Sequence, residues 1–577
     1  MPLAEFVNET VSRLRVAGTD TTDVEVKTAH GSPRSLASTV SAFSNGDGGL
    51  ILWGLSESAG FTPVSIDAHA MAVKLAGVCR DEIVPAVNAE IDIVQVDGQP
   101  VVAAAVPAGL RELKPFYVRT QGIEKGAYIR GWDGDRHLTT YEVHALLAGR
   151  GQPRDDAAPV AGASLADLDS EAVDALLTRL KATRGEAFAE ASAEQALEYV
   201  RVLDRAGGEV RVTLAGLLTL GRYPQQFFPQ LNVTFVSFAT PDGTPMADGT
   251  RFLDNVAIDG PIPAMITRAV DVVRRNMTRR SVIVGVGRTD YWEYPEEAVR
   301  ELIANALMHR EYHPLAHGSQ VRVELYPDRL EVVSPGGLFG AFRPDVLGAE
   351  TVTSSRNAVL GRLLEDVRLP GVNRMVCENR GTGLLAVSAT LRDSGLEPVT
   401  IHDTLSAFRA VLYREPILDE AATAWLDALP LAGINRQQRL GLAYLRRQGT
   451  ITHLVYRALT GQAARSAAKD LEDLAARGLA IRDNLGRTAL WRLNPTAAHA
   501  TSTTRTPLTG RQRDVIVVLS SGPRSTAAIA DQLGVTPGAI RHHLQDLAAL
   551  GVVAPTVNKR SPLNKWVLVQ PDDRPSA

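Results

Sequence analysis

Five polar side chains near the C-terminus are of the types that read double-stranded DNA. In GAIRHHLQDLAALG, helical spacing turns Arg541, His542 and Gln545 away from the apolar residues. Arginine and glutamine side chains can form paired hydrogen bonds with base edges in the major groove. Lys559 and Arg560 follow at the tip of a predicted hairpin, where their charges suit contacts with DNA phosphates. The pattern therefore predicts a DNA-reading surface.

A winged helix-turn-helix predicted over residues 507–570 would position these side chains. Its first helix lies in TPLTGRQRDVIVVLSSG and its second in STAAIADQLGV. Thr536 suits the N-cap of the third helix, and Pro537 suits its first turn. The apolar residues that this third helix would bury are Ile540, Leu544 and Leu547. In such a module the third helix enters the major groove and the hairpin contacts the DNA backbone.

A second module of the same plan is predicted just before it, over residues 418–494. Its helices lie in RQQRLGLAYLRRQG, ITHLVYRALTG and QAARSAAKDLEDLAARG, and LAIRDNLGRTALWRL forms the wing. The module resembles the winged helices of many bacterial transcriptional regulators, and its third helix would turn Arg465, Ser466 and Lys469 outward. The same helix also carries three acidic residues that would repel phosphate if they faced it: Asp470, Glu472 and Asp473.

The charge of the chain is divided unevenly between its C-terminal part and the rest. Residues 431–577 contain 20 Lys and Arg against 9 Asp and Glu, a net charge of +11. The whole chain has a net charge of -4, so the first 430 residues carry -15. A basic segment on an acidic body favours a polyanionic partner for that segment.

The middle of the chain carries a helix with two polar residues on one face. In YPEEAVRELIANALMHREYH, Glu301 and Asn305 lie four residues apart, beside an apolar face. The strands SQVRVELYPDRLEVVSPGGLF and the segment ENRGTGLLAVSATLRDSGLEP follow. This ordered set, over residues 165–414, resembles the divergent ATPase domain that follows Schlafen AlbA-type domains, a relative of the GHKL ATP-binding fold. Such proteins are often labelled RecG-like helicases, but no P-loop sequence is present here.

The resemblance implies a role for each of these polar residues. Glu301 would be the ATPase base that orients water, and the amide oxygen of Asn305 would bind Mg²⁺ at the phosphates. The backbone N–H groups at a helix start would bind the phosphates of ATP, and the residues there are Gly381, Thr382 and Gly383. The D-x-G-x-G box that reads adenine in this family is absent, and SPGGL stands in its place.

The first 150 residues carry a separate set of motifs, VEVK, SAFSNGDGGLILWGL and GAYIRGWDGDRHLTTYEVHALL. Together they resemble the Schlafen AlbA-type domain, which implies nucleic-acid binding. Some Schlafen relatives are RNA nucleases that use three acidic residues. The corresponding positions here are Asp20, Glu25 and Glu57, and three carboxylates can hold a divalent metal that activates water. This nuclease is the alternative function for the N-terminal domain.

Two stretches of low apolar content, residues 149–164 and 494–507, are predicted linkers between these blocks. The predicted fold class is therefore a multidomain α/β (α+β) body with two C-terminal winged helix-turn-helix domains. With only Cys79 and Cys377, the chain can form neither a disulfide framework nor a cysteine-based zinc site. No signal peptide or membrane-spanning run is recognisable, so we expect a cytoplasmic protein without membrane contact.

The sequence predicts a DNA-binding, and in particular transcriptional, regulator whose central domain binds a nucleotide, with ATP and Mg²⁺ as cofactors. A homodimer would match a two-fold DNA operator. The alternative is an enzyme that acts on nucleic acid, either a DNA-dependent ATPase or the metal-dependent nuclease. A third interpretation is a scaffold in which both α/β domains have lost their chemistry.

Overall fold

The computed structural model of the protein is of the mixed α/β class, as predicted. Its chain forms two compact units, Met1–Leu426 with Ala432–Leu493, and Asp427–Leu431 with Asn494–Ala577. The residues that the structure describes are 3–17, 22–28, 33–131, 134–206, 209–284, 287–340, 354–378, 381–429, 433–485, 488–495, 515–516, 518–519, 522–533, 535–549, 553–556 and 565–568. No helix within these ranges is long and apolar enough to cross a membrane.

The N-terminal region is built on a four-stranded sheet of order β1-β2-β7-β6, in which β1 and β2 are parallel and the other pairs antiparallel. Apolar side chains are buried on both faces of this sheet. Its helices are α1 (Leu3–Ala17), α2 (Pro33–Asn45), α3 (Ala68–Gly77), α4 (Ile123–Gly126) and α5 (Thr140–Ala148). Its strands are β1 (Val24–Lys27), β2 (Gly48–Trp53), β3 (Leu55–Ser56), β4 (Thr62–Pro63), β5 (Ile83–Val84), β6 (Glu90–Val96), β7 (Gln99–Pro107), β8 (Tyr117–Val118), β9 (Tyr128–Gly131) and β10 (Gly134–His137).

The asparagine and the paired glycines of SAFSNGDGG have structural roles at the start of β2. Gly48 has a φ of +88°, and a β-carbon there would lie 2.8 Å from the carbonyl oxygen of Val106. A β-carbon on Gly49 would lie 2.5 Å from the ring of Phe43. Only glycine fits both positions. The buried Asn45 amide donates to two backbone carbonyls, so this turn is also fixed by hydrogen bonds.

The middle region contains a six-stranded sheet of order β14-β13-β17-β18-β20-β19, with β13 and β17 parallel and the remaining neighbours antiparallel. Its helices are α6 (Ser170–Thr183), α7 (Glu186–Glu190), α8 (Ala193–Tyr199), α9 (Leu214–Leu220), α10 (Ile262–Asn276), α11 (Glu296–His309), α12 (Ala358–Leu364) and α13 (Gly383–Asp393). Its strands are β11 (Leu203–Ala206), β12 (Glu209–Val212), β13 (Val233–Phe238), β14 (Phe252–Ile258), β15 (Arg279–Val284), β16 (Gly287–Trp292), β17 (Val321–Leu325), β18 (Arg329–Pro335), β19 (Thr400–Asp403) and β20 (Ala407–Tyr413).

Residues 149–164, predicted as a linker, are instead packed against the middle region. Val160 and Ala163 are buried in its apolar core. The buried carboxylate of Asp156 accepts hydrogen bonds from the backbone N–H groups of Val359 and Leu360, at the start of α12. The Gly, Pro and Ala content suggested a linker, but an acidic helix cap and two small apolar residues hold the segment in place.

The third region of the first unit has three helices packed with a small sheet. After α14 (Glu420–Ala428) come α15 (Arg436–Gln448), β21 (Thr450–Thr452), α16 (His453–Thr460) and α17 (Ala464–Ala476). The strands β22 (Ala480–Leu485) and β23 (Thr488–Leu493) complete an antiparallel sheet of order β21-β23-β22. Asn435 and Gln438 form a capping box at the start of α15.

The described part of the second unit has helical residues at 515–516 and 518–519, followed by α18 (Thr526–Gln532) and α19 (Pro537–Ala549). The antiparallel strands β24 (Val553–Pro555) and β25 (Trp566–Leu568) follow them. The predicted inward face of α19 is confirmed, because its three apolar residues are buried in one cluster: Ile540, Leu544 and Leu547.

Candidate functional site

A cavity of about 870 Å³ opens in the middle region between α11, the end of β18 and the start of α13. Glu301 and Asn305 of α11 line it. Three further lining residues come from the loop before α13 and from its first residue, and these are Gly381, Thr382 and Gly383. The structure thus brings together five residues that the sequence analysis assigned to nucleotide binding.

The carboxylate of Glu301 is held on both oxygens. Oε2 accepts a hydrogen bond from Nη2 of Arg300 at 3.0 Å, and Oε1 accepts one from Nδ2 of Asn305 at 3.3 Å. A β-carbon on Gly383 would overlap Oε1 of Glu301. Gly383 is therefore required for a close approach between α13 and α11.

The start of α13 presents its backbone to the cavity. Gly381 has a φ of +68°, a conformation that favours glycine. Thr382 is the N-cap residue, and its side chain forms no capping hydrogen bond with the described residues of α13. Backbone N–H groups at the start of a helix stabilise phosphate groups. The loop and helix start therefore have the chemistry to bind phosphate.

Several charged residues of the cavity were not found by sequence reasoning. Nη1 of Arg374 lies 2.7 Å from each carboxylate oxygen of Glu297. Arg300 lies between Glu297 and Glu301 and pairs with both. Arg179 also lines the cavity. These arginines form ion pairs with acidic residues, and four glutamates also line the cavity, so its wall carries charges of both signs: Glu297, Glu301, Glu365 and Glu378.

His309, at the C-terminal end of α11, also lines the cavity. Burial, together with the positive charge of Arg356, lowers the pKa of His309 to about 4. The imidazole is therefore neutral at pH 7.

The SPGGL segment lies at the end of β18. The hydroxyl of Ser334 is buried and donates to the carbonyl oxygen of Ala306 at 2.8 Å. Gly336 has a φ of +84°, and a β-carbon on Gly337 would overlap the carbonyl oxygen of Thr404. The backbone of this segment therefore packs closely against Thr404. Position 334 carries a serine, which has a hydroxyl group and no carboxylate.

The N-terminal region contacts the rim of the cavity. Nη1 of Arg111 donates to the carbonyl oxygen of Gly340 at 3.4 Å, and its guanidinium lies 5.6 Å from the ring of Phe339. Nε2 of Gln152 donates to the carbonyl oxygen of Arg356 at 2.7 Å. Phe339 lines the cavity, so the N-terminal region reaches one of its walls.

The three carboxylates of the nuclease alternative are not seen as a cluster. Glu25 is buried and forms ion pairs with Lys27 and Arg130. Glu57 is exposed at the start of a short 3-10 helix, and Asp20 lies outside the described residues. Among described residues, no group of three His, Cys, Asp or Glu could hold a metal ion.

The predicted DNA-facing residues of α17 are exposed, and they are Arg465, Ser466 and Lys469. The three acidic residues of this helix do not together form a surface that would repel DNA phosphates. Asp470 is buried and accepts hydrogen bonds from Tyr456, Gln462 and Asn435. Asp473 pairs with Arg477 and accepts from Gln438, whereas Glu472 is exposed. Two of the three carboxylates therefore stabilise the fold of this region.

In the second unit, Arg541 is exposed on α19. The side chains of His542 and Gln545 lie outside the part of the chain that the structure describes. The same holds for Lys559 and Arg560 of the predicted hairpin tip. The assignments of these four residues to DNA contact stay predictions.

Family models match four segments of the chain. Residues 20–139 match "Schlafen, AlbA_2", and residues 318–412 match "Putative ATP-dependent DNA helicase recG C-terminal". The chain contains a Schlafen AlbA_2 segment and a RecG C-terminal-type segment. Residues 510–554 match "Bacterial regulatory protein, arsR family", a helix-turn-helix model, and residues 144–234 match a domain of unknown function. The RecG-type match includes Gly381–Gly383 and begins after α11.

Two solved structures are similar to the chain at low identity. The DIP2311 protein from Corynebacterium diphtheriae is 19% identical, with 98% of this chain and 100% of that chain covered and a TM-score of 0.35. The N-terminal domain of a "Putative ATP-dependent DNA Helicase RecG-related Protein" from Nitrosomonas europaea is 27% identical. That match covers 23% of this chain and 92% of the other, with a TM-score of 0.19. No curated protein shows a significant match.

Gly383→Ala tests the close approach between α13 and α11. The added methyl group must displace the carboxylate of Glu301 from its hydrogen bonds with Arg300 and Asn305, and the loss of such a hydrogen bond costs about 1 kcal/mol of unfolding free energy. The control is Gly318→Ala, because a β-carbon on this exposed glycine meets nothing within 4 Å. Denaturant unfolding of both variants measures the difference, and equal stabilities would contradict the described packing.

His309→Gln tests the titration of this partly buried imidazole. The pKa of His309 in the folded protein, about 4, lies below its ordinary value of 6.5. The neutral imidazole therefore makes its full contribution to the free energy of unfolding above pH 6.5, and this contribution is lost as the pH falls towards 4. One pKa unit corresponds to about 1.4 kcal/mol, which gives a loss of up to about 3 kcal/mol. Urea unfolding across this range should show a flatter pH profile for the variant. Parallel profiles would mean that His309 titrates normally.

Proposed function

We propose that the protein is a DNA-binding transcriptional regulator whose middle region binds ATP with Mg²⁺. The observation that carries this proposal is the convergence of α11 and the loop before α13 on one cavity. These elements are separated by more than 70 residues, yet their polar groups line the same space. The RecG C-terminal-type match over residues 318–412 and the helix-turn-helix match over residues 510–554 support the combination of nucleotide binding with DNA binding.

The residues of the cavity fit a nucleoside triphosphate. The N–H groups at the start of α13 bind phosphate, and the side-chain oxygen of Asn305 is a ligand of the type that Mg²⁺ accepts. Bound Mg²⁺ would neutralise part of the phosphate charge. Glu301 accepts one hydrogen bond on each oxygen, from Arg300 and Asn305, and the remaining lone pairs can accept a hydrogen bond from water. This geometry favours nucleotide binding as the main role, with weak turnover.

The DNA-binding part consists of two winged helices. In the first, α15, α16 and α17 pack with a three-stranded sheet, which is the element order of that module. The second covers α18, α19 and the hairpin of β24 and β25. The net charge of +11 over residues 431–577 and the exposed side chains of α17 support binding to double-stranded DNA.

We also propose a location, an assembly and a role for the N-terminal region. We expect a cytoplasmic protein, and a homodimer on a two-fold DNA site. The N-terminal region binds nucleic acid in this proposal, and the ion pairs of Glu25 with Lys27 and Arg130 favour binding over metal-dependent cleavage.

Asn305→Ala tests the nucleotide site in the full-length protein. Calorimetric titration with Mg-ATP should show binding by the wild type and at least a tenfold weaker affinity in the variant, because a metal ligand is lost. Glu301→Gln should bind within about threefold of the wild type and lose any ATP turnover. The control is Asn8→Ala, at an exposed residue of α1. Absence of Mg-ATP binding by the wild type would overturn the nucleotide site.

The double variant Arg465→Ala and Lys469→Ala tests DNA binding by α17. Retention of genomic DNA fragments is measured across a salt series, and loss of two phosphate contacts should reduce the salt slope by about 1.8. The charge-matched control is Lys181→Ala with Arg211→Ala, at two exposed residues of the middle region. An unchanged slope would exclude these contacts. No retention of DNA by the wild type at moderate salt would overturn the DNA-binding function.

A further inference from the structure

Helix α13 connects the cavity to the third region. It begins at Gly383, against Glu301, and four of its later residues also line the cavity: Leu384, Ala386, Val387 and Thr390. Its 11 residues give it a length of about 16 Å, at 1.5 Å per residue. The helix is continuous, so a displacement at its first turn moves its last turn as well.

The last turn of α13 contacts the turn between α16 and α17. Nη1 of Arg392 donates to the carbonyl oxygen of Ala458 at 3.3 Å, near the C-terminal end of α16. A positive charge is favourable there because it faces the negative end of the helix dipole. The guanidinium carbon also lies 3.0 Å from the position of a β-carbon on Gly461. Gly461 has a φ of +71° and ends α16, three residues before α17 begins.

A second contact holds the third region on the segment that follows α13. The carboxylate of Glu397 is buried and accepts hydrogen bonds from Nη1 of Arg447 at 2.8 Å and Nε2 of Gln448 at 2.7 Å. Both donors lie at the end of α15. Removing one partner of a buried ion pair is strongly destabilising. This contact therefore anchors α15, while Arg392 contacts the turn that sets the direction of α17.

We propose that Arg392 positions the DNA-reading helix α17 according to the occupancy of the nucleotide cavity. The inference rests on the proposed function and adds its regulation. The first turn of α13 lies against the carboxylate of Glu301. A phosphate bound there brings a second negative charge beside this carboxylate, and the repulsion between them favours separation of the helix from Glu301. Arg392 carries that displacement to Gly461 and thus to α17. Nucleotide and DNA then change each other's affinity by the same factor.

The experiment measures this factor in the full-length protein, with Mg-ATP and a genomic DNA fragment that the wild type retains. The factor is the ratio of the DNA dissociation constants with and without saturating Mg-ATP. We expect about fivefold or more in the wild type. Arg392→Met keeps the apolar stem of the side chain and removes its charge. It should bring the factor close to one, with Mg-ATP and DNA each bound separately within about threefold of the wild type.

Arg211→Met is the matched control, because this exposed arginine lies on β12 and should leave the factor unchanged. A factor of one in the wild type, with both ligands bound, overturns the inference and leaves the proposed function intact. An unchanged factor in Arg392→Met also overturns it. If the wild type fails to bind Mg-ATP or DNA at all, the proposed function fails and the inference fails with it.

Hydrogen exchange of the wild type provides a readout that needs no variant. Mg-ATP added without DNA should change the exchange protection of residues 453–476, which include α16 and α17. If Mg-ATP changes the exchange protection of α13 but leaves that of residues 453–476 constant, the inference is overturned. This result is decisive even if Arg392→Met fails to fold.

Discussion

The arrangement of the middle region depends on one close approach, that of the Gly383 backbone to the carboxylate of Glu301. Because no side chain stands between them, α13 starts directly beside α11, and the cavity is bounded by both helices. The direction of α13 then places its last turn against α16. This close approach therefore sets one wall of the cavity, while the contacts of Arg392 and Glu397 hold the neighbouring region in place.

The parts of the structure that sequence could predict are those set by local periodicity or by a recognisable motif. The inward face of α19 follows from apolar spacing, and its buried Leu544 and Leu547 confirm that prediction. Motif resemblance identified the Schlafen AlbA_2 and RecG C-terminal-type segments, which the family models confirm. It also predicted the residues that meet in the cavity, although their chemical roles stay predictions.

Contacts between distant parts of the chain could not be predicted in this way. Arg374 and Glu297 are 77 residues apart, and Arg392 and Ala458 are 66 apart. Nothing in a local pattern indicates which arginine pairs across such a separation. Asp470 shows a related limit. A carboxylate on the third helix looked unfavourable for DNA binding, but its hydrogen bonds with Tyr456 and Gln462 turn it into the interior.

The contact of Arg111 with Gly340 and Phe339 has a consequence for how such chains can be recombined. Arg111 and Gly340 are 229 residues apart and belong to segments that match different family models. An N-terminal region without arginine at position 111 would lose this hydrogen bond and the contact with Phe339 at the rim of the cavity. The cavity is therefore completed by a side chain from outside the segment that forms most of its wall, although each segment has the motifs of a separate module.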